Sequence, residues 1–321
     1  MRRRAAACIA IAVLSVAACS GGSAHTASSG SSSSSSSTSS SSSAAATTTT
    51  LPRTTTTLPP PAQPTLPSDP AALAAQLVAD EHLIRDPATS PDDLVGAARR
   101  VQRAYRLIGR HEEWDAIILP LIPADLQVAV TKNIDARRRF ISLAGDTPPS
   151  DNVPAWRIVA PAPADDLVRF YKEAEATFGV GWTYLAAINL VETGLGRIQG
   201  LSTAGAQGPM QFLPSTWDAY GAGGNIDDPH DSILGAARYL AANGFTDGNA
   251  QGALYRYNNS HDYVAAIEDY AEAIAYEPAT FAAYHAWDIY YFTSAGDIVL
   301  PVGYEQPEPI PAIDYLATHP Q

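Results

Sequence analysis

The stretch Trp182-Thr-Tyr-Leu-Ala-Ala-Ile-Asn-Leu-Val-Glu192-Thr-Gly-Leu-Gly196 decides how the rest of the chain is read. At helical spacing Tyr184, Leu185, Ile188, Val191 and Leu195 form one apolar stripe. Glu192 falls inside that stripe, four residues after Ile188, where the pattern asks for an aliphatic side chain. Gly194 and Gly196 follow at once and read as the helix stop. A carboxyl group so placed is expected to be half buried and close to the negative end of the helix dipole. Both effects disfavour the anion and raise the pKa. A proton held on Glu near neutral pH is what a general acid requires. The pattern by itself equally permits a Glu at the stripe's edge that reaches out to solvent.

Before this helix the chain changes character three times. Met1-Arg2-Arg3-Arg4 is a positive n-region and Ala5 to Val16 a short apolar segment, too short to span a bilayer. Val16-Ala17-Ala18-Cys19 closes it and resembles a bacterial lipobox, so residues 1–19 read as a lipoprotein signal peptide. That resemblance implies lipidation of the Cys19 thiol and a membrane anchor; the alternative is a plain signal peptide with a chance cysteine. Cys8 lies inside the signal, so the processed chain would retain Cys19 alone, leaving no disulfide and no catalytic thiol. Residues 20–68 are nearly all Ser, Thr, Ala and Pro and cannot bury enough apolar surface to offset the entropy of ordering. They read as a tether whose coil span is on the order of 40 Å. No other segment is long and apolar enough to cross a bilayer.

Residues 69–150 read as a helical accessory region. Asp69 caps a first helix with Pro70 at its first position. Ser90-Pro91 opens a second that runs on toward Trp114, and Leu126 to Leu143 makes a third. Arg137-Arg138-Arg139 on that third helix is expected to face solvent, the alternative being a phosphate or wall-polymer contact. His111-Glu112-Glu113-Trp114 lacks the second histidine of a zinc helix, so no metal is assigned there.

Residues 151–321 carry the chemistry. After a proline-rich connector, Asp165-Asp166 is expected to cap a helix with Leu167, Phe170, Tyr171, Ala174 and Phe178 inside, leading into the Glu192 helix. Then comes Ser202-Thr-Ala-Gly-Ala-Gln-Gly-Pro-Met-Gln-Phe212, in which Gln211 is a long amide between two apolar residues and points to a cleft or a polar core. Asp228-Pro229 opens another helix, and Asp228 reads as its cap. Tyr257-Asn258 ends a further helix, and Ser260 leads into one carrying Tyr263, Ile267, Tyr270 and Ile274. Trp287 to Phe292 and Ile298 to Val302 are β-rich around Ser294-Ala-Gly-Asp297, a hairpin expected to cover the helical core, the alternative being one side of the cleft.

Val191-Glu192-Thr193 with its glycines, Ser202 with Ala204-Gly205-Ala206 and Gln211-Phe212, and Tyr257-Asn258 together resemble the successive motifs of lytic murein transglycosylases, nearest the membrane-bound B-type group of the lysozyme-like superfamily. The resemblance runs from about Val153 to Ala275. It implies a mainly α fold: a lysozyme-like transglycosylase domain, with the N-terminal helical region and the small C-terminal β-hairpin as additions. It also implies that Glu192 is the single acid/base, and that Ser202, Gln211, Tyr257 and Asn258 bind substrate. The implied reaction cleaves the MurNAc-GlcNAc β-1,4 bond of peptidoglycan to 1,6-anhydromuramyl products, with no cofactor and no metal. The segment between Glu192 and Ser202 is much shorter than in the B-type pattern, and residues 223–228 do not supply the alternating acids of a calcium loop. Asp227, Asp231 and Asp262 stay open as second acids.

Two rivals accompany that reading: a lysozyme-like hydrolase, which needs a second, water-activating acid, and an inactive lipid-anchored wall-binding protein. The net charge of −13 argues against nucleic acid and anionic lipid surfaces as partners. Peptidoglycan strands are the expected partner, bound through hydrogen bonds and aromatic contacts, with the protein exported and held at the outer face of the membrane.

Overall fold

The computed structural model describes residues 63–321. The signal segment, Cys19 and the tether as far as residue 62 lie outside the described residues. Residues 63–68 form no helix or strand but are held on the body. The Gln63 amide donates to the Asp297 carbonyl at 2.6 Å, and Arg103 donates to that of Pro64 at 2.6 Å.

Helix α1 (Pro70–Arg85) starts as the sequence predicts: Asp69 accepts from the Ala72 N–H at 2.9 Å, with Pro70 at the first position. Helix α2 (Pro91–Ile108) is capped by Ser90 but stops at Gly109, short of the predicted extension toward Trp114. The residues beyond turn through a 3₁₀ segment into the short α3 (Asp115–Ile118), and His111 stacks on Trp114. Helix α4 (Gln127–Ala144) follows, and only part of its arginine triplet meets water. Arg137 is buried, Arg138 holds Asp115 through two hydrogen bonds, and Arg139 alone is half exposed.

Two short strands, β1 (Asn152–Val153) and β2 (Arg157–Ile158), occupy the proline-rich connector. Helix α5 (Ala164–Phe178) then begins at Pro163, which cannot cap through a side chain. Asp165 and Asp166 therefore sit inside the first turn, where they complement the helix dipole, and are not the cap expected from sequence. Helix α6 (Trp182–Thr193) carries Glu192 and ends as anticipated at Gly194, φ 61°. The Gly194 N–H bonds the Leu190 carbonyl, the single bond of an αL stop, and the Leu195 N–H reaches further back to the Asn189 carbonyl. Strand β3 (Ile198–Gln199) pairs with β2. Helices α7 (Pro214–Tyr220), α8 (Pro229–Ala242), α9 (Ala250–Tyr257) and α10 (His261–Tyr276) complete the helical body. Asp228 does cap α8, accepting from the Asp231 N–H at 3.0 Å.

The C-terminal part adds α11 (Ala279–Ala286), the hairpin β4 (Ile289–Thr293) and β5 (Gly296–Leu300), strand β6 (Ile310–Pro311) and α12 (Ala312–Thr318). Strand β6 pairs with β1 across nearly the whole C-terminal half of the chain. The expected hairpin is present, with Thr293 opposite Gly296. It does not simply roof the helices. Its residues Ile289, Tyr291, Ile298 and Leu300 join Val153, Ile158 and Ile198 in a second small core.

The main core runs without a break from Leu73 in α1 to Trp287. Its longest seam is α4 along α10, where Lys132 bridges Asp269 at 2.9 Å and Glu272 at 2.6 Å. Helix α10 in turn packs on α6 and so connects the N-terminal helices to the Glu192 helix. No helix among the described residues is long and apolar enough to cross a membrane.

Candidate active site

Glu192 lies in the last turn of α6 and is fully buried, deeper than the half-buried position read from the stripe. The Tyr263 hydroxyl, on the first turn of α10, donates to Glu192 Oε1 at 2.7 Å. Glu192 Oε2 has no hydrogen-bond partner among the described residues. Burial pushes the carboxyl pKa up to about 8, against the smaller opposing pull of the Tyr263 hydroxyl. No second carboxylate among the described residues contributes to that shift. The group is therefore a neutral acid at neutral pH, with Oε1 occupied by a donor and Oε2 left to carry the proton.

A polar chain fixes this helix end to the next loop. The Tyr171 hydroxyl donates to Asn189 Oδ1 at 2.7 Å, while Asn189 Nδ2 and the Thr193 hydroxyl both donate to the Pro209 carbonyl, at 2.9 and 2.6 Å. Tyr257 donates to the neighbouring Met210 carbonyl at 2.6 Å. Both carbonyls precede Gln211, which is wholly buried and holds φ 51°, a left-handed conformation unusual for a residue with a side chain. Its amide nitrogen donates to the Gly208 carbonyl at 3.1 Å, and its Oε1 is unpartnered among the described residues.

The remaining predicted residues divide by role. Ser202 turns its hydroxyl into its own loop, accepting from the Ala204 and Ala206 N–H groups at 3.3 and 2.9 Å. It shapes the loop that presents Gln211. Tyr257 is buried near Glu192; burial first, and the Glu192 charge second, raise the phenol's pKa. Asn258 ends α9 and is nearly buried. Of the three open acids, Asp262 accepts from Ser142 and Asp231 from the Asn225 N–H. Asp227 lines a cavity of about 550 Å³ beside Leu195 and Gly196. Asp228, His230 and Asp231 are close enough together to share a cation, but Asp228 and Asp231 accept backbone N–H groups and His230 faces Glu173 at 3.1 Å.

Sequence reading names Thr193 only as part of its motif and misses Tyr263 and Asn189 as parts of the site, because the helical pattern puts Tyr263 in an apolar stripe as core. The signal is its hydroxyl: a buried phenol needs an acceptor, and the stripe-bound Glu192 is the unassigned one.

The arrangement defines a class: a helical domain in which one buried acid ends a helix and faces a loop pinned by Asn, Thr and Tyr. Residues 169–277 match the family described as Transglycosylase SLT domain, so the chain carries such a domain. The chain is also 37% identical over 76 residues to Membrane-bound lytic murein transglycosylase F of Thiobacillus denitrificans (strain ATCC 25259 / T1). That alignment covers 24% of this chain and only 16% of the relative. No solved structure matches the chain.

Proposed function

We propose that the protein is a peptidoglycan lytic transglycosylase, of a kind nearest the B-type group, with Glu192 as its single general acid/base. The observation that carries this reading is the isolation of Glu192: buried, held neutral, bonded by Tyr263 and influenced by no other described carboxylate. Hydrolysing glycosidases use two carboxyl groups, one as acid and one as base or nucleophile. A single acid suits a reaction in which no water attacks. Protonated Oε2 gives its proton to the oxygen leaving C1 of N-acetylmuramic acid, and the C1–O bond breaks. The substrate's own acetamido oxygen stabilises the cationic carbon. The ionised Glu192 then removes the proton from the muramyl 6-hydroxyl as its oxygen bonds to C1, closing the 1,6-anhydro ring. Acid and base are one group, regenerated at the end.

In this reading Gln211 and Asn258 hydrogen-bond the sugar, Tyr257 lines the cleft, and Ser202 acts by holding the loop in shape. The protein works on glycan strands in the wall, exported and tethered to the outer face of the membrane through Cys19. Cleavage in heavy-oxygen water tests the chemistry. The proposed reaction incorporates no label, whereas a hydrolase would place heavy oxygen on C1 of every new muramyl end.

A further inference from the structure

We propose that the cavity between α4, α6, α10 and the hairpin binds a small inorganic anion, chloride being the one of fitting size, held by buried N–H and O–H donors. The site lies within the body that carries Glu192 and does not depend on the reaction proposed for that residue. The cavity measures about 50 Å³, room for one such ion with a water or two. Phe140 of α4, Val191 and Gly194 of α6, and Tyr270 of α10 form its helical walls, and Trp287 and Tyr290 line the side toward the hairpin.

Three side chains here are more than nine-tenths buried and incompletely bonded. Trp287 Nε1 and the Tyr290 hydroxyl have no hydrogen-bond partner among the described residues, though their residues are only 9% and 2% exposed. Arg137, 6% exposed, bonds the Tyr270 hydroxyl, yet its Nε and Nη1 have no partner there either. The guanidinium and the indole can only donate, and the phenol can do so. A water would have to place its own two hydrogens on acceptors, and the other polar groups of the lining are engaged. Gln102 exchanges both ends of its amide with the Asp288 backbone, at 2.8 and 2.9 Å, and the Asp288 carboxylate is paired with Arg99 at 2.6 Å. An anion accepts from every unpartnered donor at once.

Charge points the same way. The charged neighbours of Arg137 are Arg106, Arg110 and Asp297, and Asp297 is already shared by the other two arginines. One carboxylate thus answers three guanidinium groups, of which Arg106 and Arg137 are almost wholly buried. Arg106 also lies over the Tyr290 ring at 4.6 Å, which brings this cationic cluster to the cavity wall. Burial first, and Arg106 second, push the Arg137 pKa down to about 9, and a counter-ion relieves both effects. An ion so placed would tie the N-terminal helices and the hairpin to the end of the helix that carries Glu192.

The test compares thermal unfolding of the full-length protein in sodium chloride and in sodium gluconate at equal ionic strength, gluconate being too bulky for the cavity. Chloride should raise the melting temperature by about 3 °C for each tenfold rise beyond half-saturation, and gluconate should not. Trp287→Phe removes one donor and keeps an aromatic ring, and should move half-saturation to about tenfold more chloride. Arg137→Met should abolish the chloride effect yet be at least as stable as the wild type in gluconate, because it removes a buried cation that lacks a full set of partners. Crystals grown in bromide should show an anomalous peak inside the cavity. Equal melting of the wild-type protein in the two salts overturns the proposal, as does a chloride effect undiminished in Arg137→Met. Bromide found only on the surface, an adventitious ion only, overturns it as well.

Discussion

A carboxylic acid removed from water keeps its proton to higher pH, and in Glu192 this cost is set against the donor it retains. Burial raises its pKa from the ordinary 4.5 to about 8, so the folded state holds the proton more tightly than the unfolded chain. Stability from this group is complete below about 4.5 and is lost as pH rises through about 8. Glu192→Gln should flatten that loss and leave the variant more stable by a few kcal/mol at alkaline pH, read as melting temperature across a pH series. The same protonation governs catalysis, so kcat/KM should fall above an apparent pKa near 8. Tyr263 lowers that value by donating to the carboxylate. Tyr263→Phe should therefore move the alkaline limb upward while reducing kcat/KM about tenfold. A purely structural role for Tyr263 would reduce activity without moving the limb.

The elements that carry the site were legible where a local rule fixes them. Asp69-Pro70, Ser90-Pro91 and Asp228-Pro229 each announce a capped helix start, and Gly194 a helix stop. Asp165-Asp166 misled because acids favour both the cap and the first turn, and Pro163 decides which applies here. Strands β1 and β6, two residues each, are too short to show a period, and their pairing joins segments far apart in sequence. The hairpin was visible from its turn and its β-rich flanks, but not its fastening. Asp297 at the start of β5 accepts both Arg110 nitrogens at 2.8 Å and also pairs with Arg106, which is almost wholly buried. Burial works to raise the Asp297 pKa, but the two arginines together outweigh it and hold the carboxyl well below its usual range. Its contribution is present above the ordinary carboxylate pKa and is lost as pH falls below it. Asp297→Asn should cost about 3 kcal/mol by leaving buried guanidinium charge uncompensated, measured by denaturant unfolding at neutral pH.

Across the whole molecule, the N-terminal helices share one core with the helices around Glu192. The sequence of α10 held the clue: Val264, Ala266, Ile267, Tyr270, Ala271, Ala273 and Ile274 are buried on more than one face, the mark of a helix packed on both sides. Helix α4 covers one of those sides, and Tyr284 adds a bond to Asn133 at 2.8 Å. A protein lacking residues 63–145 should therefore lose cooperative unfolding and bind hydrophobic dye, where an independent domain would melt sharply. The placement of Tyr263 against Glu192 depends on this packing, because α10 is held between α4 and α6. The most direct test of the central claim is mass spectrometry of the fragments released from purified wall by the wild-type protein and by Glu192→Gln. The account predicts 1,6-anhydromuramyl fragments from the wild type and none from the variant; reducing muramyl ends, or cleavage that survives in Glu192→Gln, would contradict it.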